Sequence, residues 1–460
     1  MPIAITLEEL STLLGDRLSR SKSDLAEHGR SESYFSARPP DAVAYPRTTE
    51  EVSAILRICN RNGCPVVGWG AGTSVEGNAL AVKGGVCVDF RLMNAVLQIN
   101  AEDMDVVVQP GLTREELNIA LRDTGLFFPV DPGANASIGG MTSTRASGTT
   151  AVRYGTMREQ VLALKVVLAD GKVIETGTRA RKSAAGYDLT HLFVGSEGTL
   201  GLITEITLRL HGQPEKIVAA VCAFPQMDAA VEAVQATIQM GLPMARIEFL
   251  DADTVAACNA YSGTGFPEMP HLMVEFHGTE DGVVHDVQRF GEIVEDMGGA
   301  GFEWASQTEE RNALWTMRHN AYFAILASRK GATAVVTDIC VPISRLAQAV
   351  EETRADIADS PIAGPILGHV GDGNFHAILL VDEENPAELA QAKDLAKRMA
   401  DRALLHGGTI TGEHGIGMGK LDLMASEHGL AWSVMAQIKR SMDPQNILNP
   451  GKVVRLAEHN

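Results

Sequence analysis

Histidines and a carboxylate on glycine-rich segments are the residues best suited to chemistry in this sequence. His369 and His376 flank a Gly-Asp-Gly turn, and His414 directly follows Glu413 in a second glycine-lined segment. Side chains alternate along a strand, so two histidines seven residues apart would face opposite sides of a straight strand. The intervening glycines allow a bend that brings both imidazoles together. Two imidazole nitrogens and one carboxylate, with positions left open, are a usual ligand set for zinc, manganese or iron.

A plain structural role is the alternative for each of these histidines, as a hydrogen-bonded core or loop residue. Three of the thirteen histidines of the chain nevertheless lie among glycines, together with Asn374 and Glu413, and this concentration favours a site. A metallohydrolase could use the same ligands, but that reading leaves the glycine-rich loops of the preceding region without a purpose.

Three glycine-rich loops lie in the first half of the chain. They are Gly70-Ala71-Gly72-Thr73-Ser74, the stretch from Ser137 to Gly155, and Gly195-Ser196-Glu197-Gly198-Thr199-Leu200-Gly201. Glycine lets backbone N–H groups approach a phosphate closely, and three such loops predict a long ligand held between close backbones. No GxGxxG opens a helix with an acidic residue about 20 positions later, and GxxxxGK[ST] is absent, so a nicotinamide site and a P-loop are both disfavoured.

The elements that must position these loops alternate between strand and helix patterns. A helix capped by Thr48 or Thr49 is expected to end at Gly63, and a β-hairpin turns at Asp170-Gly171. After Pro214 the pattern changes to strands alternating with helices, including a helix over 227–239. This second pattern predicts an α+β sheet with helices on one side.

Composition excludes several classes of protein. The chain has 460 residues and a formal net charge of −19, a field that repels nucleic acid. The six cysteines are scattered without a CxxC pair, which disfavours a zinc ribbon or an iron–sulfur cluster. Without a membrane-spanning apolar run or a basic leader, the sequence predicts a cytoplasmic location, with peripheral association at an inner membrane left open.

The first half of the chain resembles a family of flavoproteins. PVVGWGAGTS, PGANASIGGM, ASGTTAVRYG and GSEGTLGLITEITL are similar to the FAD-binding domain of vanillyl-alcohol oxidase and p-cresol methylhydroxylase. The resemblance implies an α+β fold class: a two-subdomain FAD-binding domain plus an α+β substrate, or cap, domain with an antiparallel sheet. Thr73 stands where some members carry a histidine linked to the flavin, so the FAD is expected to be noncovalent.

The same resemblance implies domain ranges and cofactor contacts. The expected ranges are an N-terminal helical segment over 1–40, the FAD-binding domain over 41–214, the cap domain over 215–430, and a C-terminal segment over 431–460 that returns to the FAD domain. The expected FAD-binding residues are Gly70, Ala71, Gly72, Thr73, Ser74, Pro132, Gly133, Ser137, Gly139, Gly140, Thr144, Ser147, Gly148, Arg153, Gly198, Ile203 and Asn449.

The second half sharpens the resemblance. GHVGDGNFH and GEHGIGMGK are similar to the family of cytochrome-type D-lactate dehydrogenases, glycolate oxidase D-subunits and D-2-hydroxyglutarate dehydrogenases. The resemblance implies that His369, His376 and Glu413 are metal ligands and that His414 is the catalytic base. It places Asn374 near the substrate and makes Arg318, in LWTMRHNAYFA, a guanidinium clamp for the substrate carboxylate.

These resemblances imply oxidation of a D-2-hydroxy acid, D-lactate before others, with metal-assisted substrate binding and hydride transfer to FAD N5. Glycolate and D-2-hydroxyglutarate stay open as substrates, and a flavin subunit of a larger oxidase complex stays open as another class of function. No motif supplies a second redox centre, so the electrons are expected to pass to a cytochrome, a quinone or an electron-transfer flavoprotein. A homodimer is also left open.

Overall fold

The computed structural model describes residues 2–382 and 384–456. The helices are α1 (Pro2–Leu14), α2 (Lys22–Glu27), α3 (Thr49–Asn62), α4 (Arg114–Ala120), α5 (Ile138–Thr144), α6 (Ala151–Tyr154), α7 (Met157–Gln160), α8 (Leu189–Phe193), α9 (Met227–Gln239), α10 (Ala252–Ser262), α11 (Glu280–Asp296), α12 (Thr308–His319), α13 (Ala321–Ser328), α14 (Leu346–Ala358), α15 (Pro386–Leu405), α16 (Met424–His428) and α17 (Leu430–Met442).

The strands are β1 (Leu18–Ser19), β2 (Ala42–Ala44), β3 (Val66–Trp69), β4 (Val86–Asp89), β5 (Val96–Asn100), β6 (Asp105–Val108), β7 (Leu126–Phe127), β8 (Val161–Val167), β9 (Val173–Gly177), β10 (Leu202–Arg209), β11 (His211–Gly212), β12 (Lys216–Ala223), β13 (Met244–Leu250), β14 (His271–Gly278), β15 (Ala300–Ala305), β16 (Thr333–Val336), β17 (Ile339–Cys340), β18 (Ile366–Gly368) and β19 (Asn374–Val381).

The chain divides into two compact units. The first comprises Met1–Ser147, Gly155–Gln213 and Glu413–Asn460, and the second comprises Gly148–Tyr154 and Pro214–Gly412. The seven residues from Gly148 to Tyr154 therefore belong to the second unit, although the chain on both sides of them belongs to the first.

The first unit contains a small sheet ordered β1-β2-β4-β3, in which β2, β4 and β3 run parallel. Helix α3 connects β2 to β3. The Thr48 side chain accepts a hydrogen bond from the N–H of Glu51 at its start, and Gly63 ends it at φ 61°. These two residues confirm the predicted caps, because a short polar side chain satisfies a free N–H and glycine adopts the left-handed conformation at little cost.

A second sheet of this unit is antiparallel and ordered β5-β6-β10-β8-β9. The predicted hairpin joins β8 to β9, and Gly171 turns the chain at φ 79°. Val106, Leu164 and Ile206 lie in the buried core behind this sheet. The C-terminal part of the unit joins β3, where the N–H of Asn449 donates to the carbonyl of Val66.

The second unit is built on an antiparallel sheet ordered β15-β12-β14-β13-β18-β19-β16, with β17 also paired to β19. Along β14, Met273 packs into the core that contains Trp315 of α12, whereas Phe276 contacts Phe290 of α11. Alternate side chains of a strand point to opposite faces, so helices cover both faces of this sheet. The prediction of helices on one side only is wrong, because the strand is buried on both faces and both need an apolar cover.

Candidate active site

The first glycine-rich loop follows β3 and borders a cavity of about 630 Å³. A Cβ atom built on Gly70 would lie 2.1 Å from the Ser137 hydroxyl oxygen. A Cβ atom on Gly72, which has φ +74°, would lie 2.7 Å from the Trp69 ring. Larger residues therefore cannot replace these glycines without displacing the loop. The cavity is lined by Glu27, Arg30, Ser31, Glu32, Trp69, Gly70, Ala71, Gly72, Arg91, Gly111, Thr113 and Ser137.

The second loop meets the first at Ser137. Its hydroxyl accepts a hydrogen bond from the N–H of Gly140 at 3.3 Å and so begins α5. Gly139 packs against Pro110, where a Cβ would come within 2.5 Å of the proline ring. The structure thus brings two of the three predicted loops together at one cavity, as a long threaded ligand requires.

A buried carboxylate organises the third loop. Glu197 accepts hydrogen bonds from the Asn78 amide at 2.7 Å and from the N–H groups of Ile416 at 2.7 Å and Gly417 at 2.9 Å. Burial raises the pKa of Glu197, and these three hydrogen bonds oppose the shift. The side chain of Asn449 donates to the backbone carbonyls of Asn78 and Glu197. The third loop and the segment over 413–417 are therefore held together within the first unit.

The remaining predicted cofactor residues divide between the two units. Gly148 and Arg153 belong to the second unit, where Arg153 donates to the carbonyl of Pro243 at 2.7 Å. The Thr144 hydroxyl donates to the Gly140 carbonyl, and Ile203 lies in the buried core of the first unit. Those that belong to the first unit are Thr73, Ser74, Pro132, Gly133, Thr144, Ser147, Gly198, Ile203 and Asn449.

In the second unit, His369 follows β18 and His376 lies on β19, its antiparallel neighbour. The chain turns between them at Gly373, with φ +85°, where a Cβ would lie 2.0 Å from the Val341 carbonyl oxygen. The two imidazole centroids are 5.5 Å apart and the ring planes are inclined by 82°. Both side chains are buried, at 8% and 5% exposure. The rings therefore converge on one region.

Each of these imidazoles is oriented through its Nδ1 atom. His369 Nδ1 lies 2.7 Å from a carboxylate oxygen of Glu248, and His376 Nδ1 lies 2.9 Å from the carbonyl oxygen of Thr337. Carboxylate and carbonyl oxygens accept hydrogen bonds, so each Nδ1 is the donor, and whenever a ring is neutral its lone pair is on Nε2. This arrangement is the one that orients histidine as a metal ligand, which fits the donor set of a divalent cation.

Glu248 also holds Arg318. The second carboxylate oxygen of Glu248 accepts from Arg318 Nε at 2.8 Å and lies 2.7 Å from Arg318 Nη2. Burial alone would raise the pKa of Glu248, but the charges of His369 and Arg318 and their hydrogen bonds lower it below its ordinary value. A single buried carboxylate thus fixes one predicted metal ligand and the predicted substrate clamp. Sequence reasoning missed Glu248, although a carboxylate between Ile247 and Phe249 in a strand-like segment was a usable signal.

Asn374 opens β19 beside a second acidic group. Its side-chain amide donates to Asp338 at 2.9 Å and to the carbonyl of Ile339 at 2.9 Å. Asp338 also accepts from the Thr411 hydroxyl at 2.7 Å and lies 3.7 Å from His376 Nδ1. The amide of Asn374 is therefore fixed by the protein next to His376.

Glu413 and His414 belong to the first unit. His414 Nδ1 lies 4.0 Å from Glu76, and His414 Nε2 lies 4.0 Å from Glu413. The backbone carbonyl of His414 accepts from the Asn78 amide at 3.3 Å, and Lys420 Nζ lies 3.1 Å from Glu76. The imidazole is thus set among acidic groups, while His369, His376, Asn374 and Arg318 are gathered in the second unit.

Comparison with solved structures defines the class of the protein. The fold is similar to that of p-cresol methylhydroxylase, with a TM-score of 0.79 over 98% of this chain and 96% of that one at 19% identity. Together with the glycine-rich loops, this similarity confirms the α+β fold class, with an FAD-binding domain of the vanillyl-alcohol oxidase type and a second domain on an antiparallel sheet. The fold and the loops therefore define a protein with an FAD-binding domain of this type.

The chain belongs to the FAD-linked oxidase family. Residues 213–453 match the model of the FAD linked oxidases, C-terminal domain, and residues 40–177 match the model of the FAD binding domain. It is 52% identical to the probable mitochondrial D-lactate dehydrogenase of Danio rerio, over 94% of this chain and 88% of that one. It is 44% identical to the mitochondrial D-lactate dehydrogenase [cytochrome] of Arabidopsis thaliana (97% and 80%) and 36% identical to the glycolate oxidase subunit GlcD of Bacillus subtilis (90% and 89%).

These relatives overturn the predicted location. The Danio rerio and Arabidopsis thaliana proteins are named mitochondrial, which contradicts the cytoplasmic prediction. The prediction failed because it rested on the lack of an apolar run and of a basic leader, and neither feature determines the compartment in which a folded chain works. Among the described residues, no helix combines the length and the apolar character that crossing a membrane requires.

Proposed function

We propose that this protein oxidises a D-2-hydroxy acid, D-lactate before others, to the 2-keto acid, and that a divalent cation assists substrate binding. The observation that carries the proposal is the pair of converging imidazoles, His369 and His376, each oriented through Nδ1. The names of the relatives in Danio rerio and Arabidopsis thaliana support D-lactate as the first substrate to test.

FAD and a divalent cation would supply part of the chemistry. When bound, FAD supplies a two-electron acceptor and a divalent cation supplies positive charge beside the substrate hydroxyl. The loop at Gly70 and Gly72 fits the first group, because it borders a cavity of about 630 Å³ and glycine lets backbone N–H groups approach a phosphate closely. His369 and His376, with Glu413 as the carboxylate, are the proposed ligands of the second.

Arg318 binds the substrate carboxylate in this proposal. Glu248 occupies the Nε and Nη2 side of the guanidinium, which has five N–H donors, so the Nη1 side keeps donors for a second carboxylate. Bidentate pairing with a carboxylate suits this planar group. Asn374, held by Asp338, lies next to His376 and is proposed to contact the substrate.

His414 is the proposed general base. It accepts the proton of the C2 hydroxyl at an imidazole nitrogen. The C2 hydrogen is lost as hydride, so the substrate loses two protons and two electrons in all, and bound FAD would be the two-electron acceptor. The acidic surroundings at Glu76 and Glu413 favour the imidazolium that results. Thr73 supports noncovalent FAD, because a hydroxyl there offers no nitrogen for attachment.

The test is anaerobic stopped-flow absorbance of the holoprotein mixed with D-lactate, L-lactate, glycolate or D-2-hydroxyglutarate, before and after chelation. We expect fast flavin bleaching by D-lactate that chelation slows. His414→Ala is expected to abolish bleaching and to retain the bound metal, while His428→Ala, at a half-buried histidine next to Glu427, serves as the matched control. Normal bleaching by His414→Ala would refute the base, and bleaching that ignores chelation would refute the metal.

A glycolate-oxidising flavin subunit is the second candidate, favoured by the relative named a glycolate oxidase subunit in Bacillus subtilis. Faster bleaching by glycolate than by D-lactate would select it. Reduced protein would then be mixed with cytochrome c, a quinone and an electron-transfer flavoprotein. The cytochrome is the proposed acceptor, because the Arabidopsis thaliana relative carries it in its name.

A further inference from the structure

Two buried glutamates lie side by side on one face of the second unit's sheet. Glu248 is on β13 and Glu275 is on β14, and the register pairs Glu248 with Met273 and Arg246 with Glu275. Glu248 is fully buried and Glu275 is 5% exposed. Burying a carboxylate is costly unless it is paired and hydrogen-bonded, so both positions need a reason. The reason for Glu248 is its bonds to His369 and Arg318, whereas Glu275 has no place in the proposed chemistry.

Glu275 has a hydrogen-bond pattern parallel to that of Glu248. One oxygen lies 2.7 Å from His277 Nε2, and the other accepts from Trp315 Nε1 at 2.7 Å. The phenol oxygen of Tyr154 lies 2.7 Å from His277 Nδ1. Each glutamate thus binds one histidine, His369 after β18 or His277 on β14, and one residue of helix α12.

Trp315 and Arg318 are three residues apart on α12 and so lie on the same face of that helix. Arg246, on the same strand face as Glu248, places its guanidinium 5.0 Å from the centre of the Trp315 ring and its Nε 3.5 Å from Glu275. A planar indole held at its N–H and covered on one face has little rotational freedom. Its position therefore fixes the rotation of α12 against the sheet, and with it the point from which the Arg318 side chain extends.

The ionisation state of Glu275 suits this role. Burial alone would raise the pKa of Glu275, but Arg246, His277 and the Trp315 hydrogen bond lower it below the ordinary value. An ionised Glu275 accepts from both N–H groups, so His277 Nδ1 becomes the acceptor for the Tyr154 hydroxyl. Burial also raises the pKa of Tyr154, which keeps this hydroxyl protonated and donating. The chain Tyr154–His277–Glu275–Trp315 is thus consistent in every donor and acceptor.

We propose that Glu275 is a positioning residue for the substrate clamp: acting through Trp315, it sets the place of Arg318 on α12, and His277 and Tyr154 hold Glu275 in turn. This inference rests on the proposed function, because it takes Arg318 as the group that binds the substrate carboxylate. It assigns a purpose to a network that neither touches the substrate nor contributes a metal ligand.

The test is a double-mutant cycle on the FAD-loaded, metal-loaded enzyme, with D-lactate as substrate. Glu275→Gln keeps the size of the side chain but cannot accept from both His277 and Trp315. We expect its KM to rise about tenfold with kcat within about twofold, the pattern for loss of binding that is equal in ground and transition states. Because Glu275 acts through Arg318, Glu275→Gln/Arg318→Ala should have the KM of Arg318→Ala alone.

Two further variants make the cycle decisive. Trp315→Phe removes the N–H donor that Glu275 holds together with part of the ring, and should raise KM as Glu275→Gln does, which keeps the test valid where Glu275→Gln folds poorly. Asp251→Asn is the matched control, since Asp251 is a buried carboxylate directly after β13 that accepts from the N–H groups of Thr254 and Ile366, and its KM should stay at the wild-type value.

The KM values distinguish a failure of the positioning role of Glu275 from a failure of the proposed substrate clamp, Arg318. A double mutant whose KM is the product of the two single effects means that Glu275 acts independently of Arg318, which overturns the inference alone. An unchanged KM in both Glu275→Gln and Trp315→Phe also overturns it alone. An unchanged KM in Arg318→Ala removes the clamp from the proposed function, and the inference falls with it.

Discussion

Replacing Glu248 by glutamine tests the centre of the candidate site with a change of one atom. The carboxylate is fully buried and accepts from His369 Nδ1 at 2.7 Å and from Arg318 Nε at 2.8 Å. A carboxamide has one oxygen and one NH₂ group, so it can accept from His369 or from Arg318 but presents a donor to the other. The substitution must therefore disrupt one side of this bridge.

The magnitude follows from what the glutamine leaves behind. A hydrogen bond to a charged group contributes about 1.5–3 kcal/mol, and removing one partner of a buried ion pair costs about 3–5 kcal/mol. Since one acceptor survives, we expect a loss of about 3 kcal/mol in this unit. Changing the partner that orients a metal-binding histidine typically weakens metal affinity about 10–100-fold, and we expect a loss in that range.

The assay is a titration of the chelated, FAD-loaded protein with Mn²⁺ and Zn²⁺, together with a thermal melt of each variant. Asp251→Asn is the control for the loss of a buried carboxylate at the end of the same strand. Wild-type metal affinity in Glu248→Gln, with an unchanged melting temperature, would show that the bridge neither orients His369 nor stabilises the unit. A lower melting temperature in both variants with metal affinity unchanged would reduce Glu248 to a structural residue.

Three further predictions concern the first unit. Burial lowers the pKa of His28, but its hydrogen bonds to Asp89 and to a backbone carbonyl raise that pKa above 6.5 overall. The stability that His28 contributes is therefore complete below pH 6.5 and is lost as the pH rises through the raised pKa. The melting temperature of the wild type should fall over that pH interval, and the melting temperature of His28→Gln should not. Gly72→Ala forces φ +74° on a residue with a Cβ beside Trp69, and should cost about 1–2 kcal/mol and release FAD on dialysis, measured by flavin absorbance. The buried Lys439 ammonium donates to the backbone carbonyls of Thr199 and Leu448 and to the carboxylate of Asp443. Lys439→Met should therefore lower the free energy of unfolding by about 3–5 kcal/mol, measured by chemical denaturation. A loss below about 1 kcal/mol would contradict this role.

Local signals in the sequence predicted those elements whose ends are determined by neighbouring residues. The caps of α3 at Thr48 and Gly63 and the turn at Asp170-Gly171 depend on interactions within a few positions. The helix predicted over 227–239 is α9, with the same bounds. The fold class was implied by the resemblance of four glycine-containing segments to a known FAD-binding domain, and no local pattern gave it.

The connections between distant segments could not be read in the same way. Glu248 and His369 are 121 residues apart, and Glu275 and Trp315 are 40 apart, so no local pattern pairs them. Nothing in the sequence near Glu275 identifies its partners, and only the register of β13 with β14 places it beside Arg246. The predicted roles of the site residues and the predicted domain ranges stay predictions.

The short excursion of residues 148–154 into the second unit affects how this enzyme can be rearranged. The chain changes unit at four peptide bonds, after Ser147, Tyr154, Gln213 and Gly412, so neither unit is a continuous stretch. Tyr154 and Arg153 anchor the excursion to His277 and to the Pro243 carbonyl. A chimaera that exchanged only 214–412 for the corresponding piece of a relative would keep a foreign seven-residue strap with its own anchors. Recombination between members of the family should therefore succeed most often when residues 148–154 and 214–412 come from the same parent. A chimaera made to change substrate specificity by exchanging the second unit should include residues 148–154.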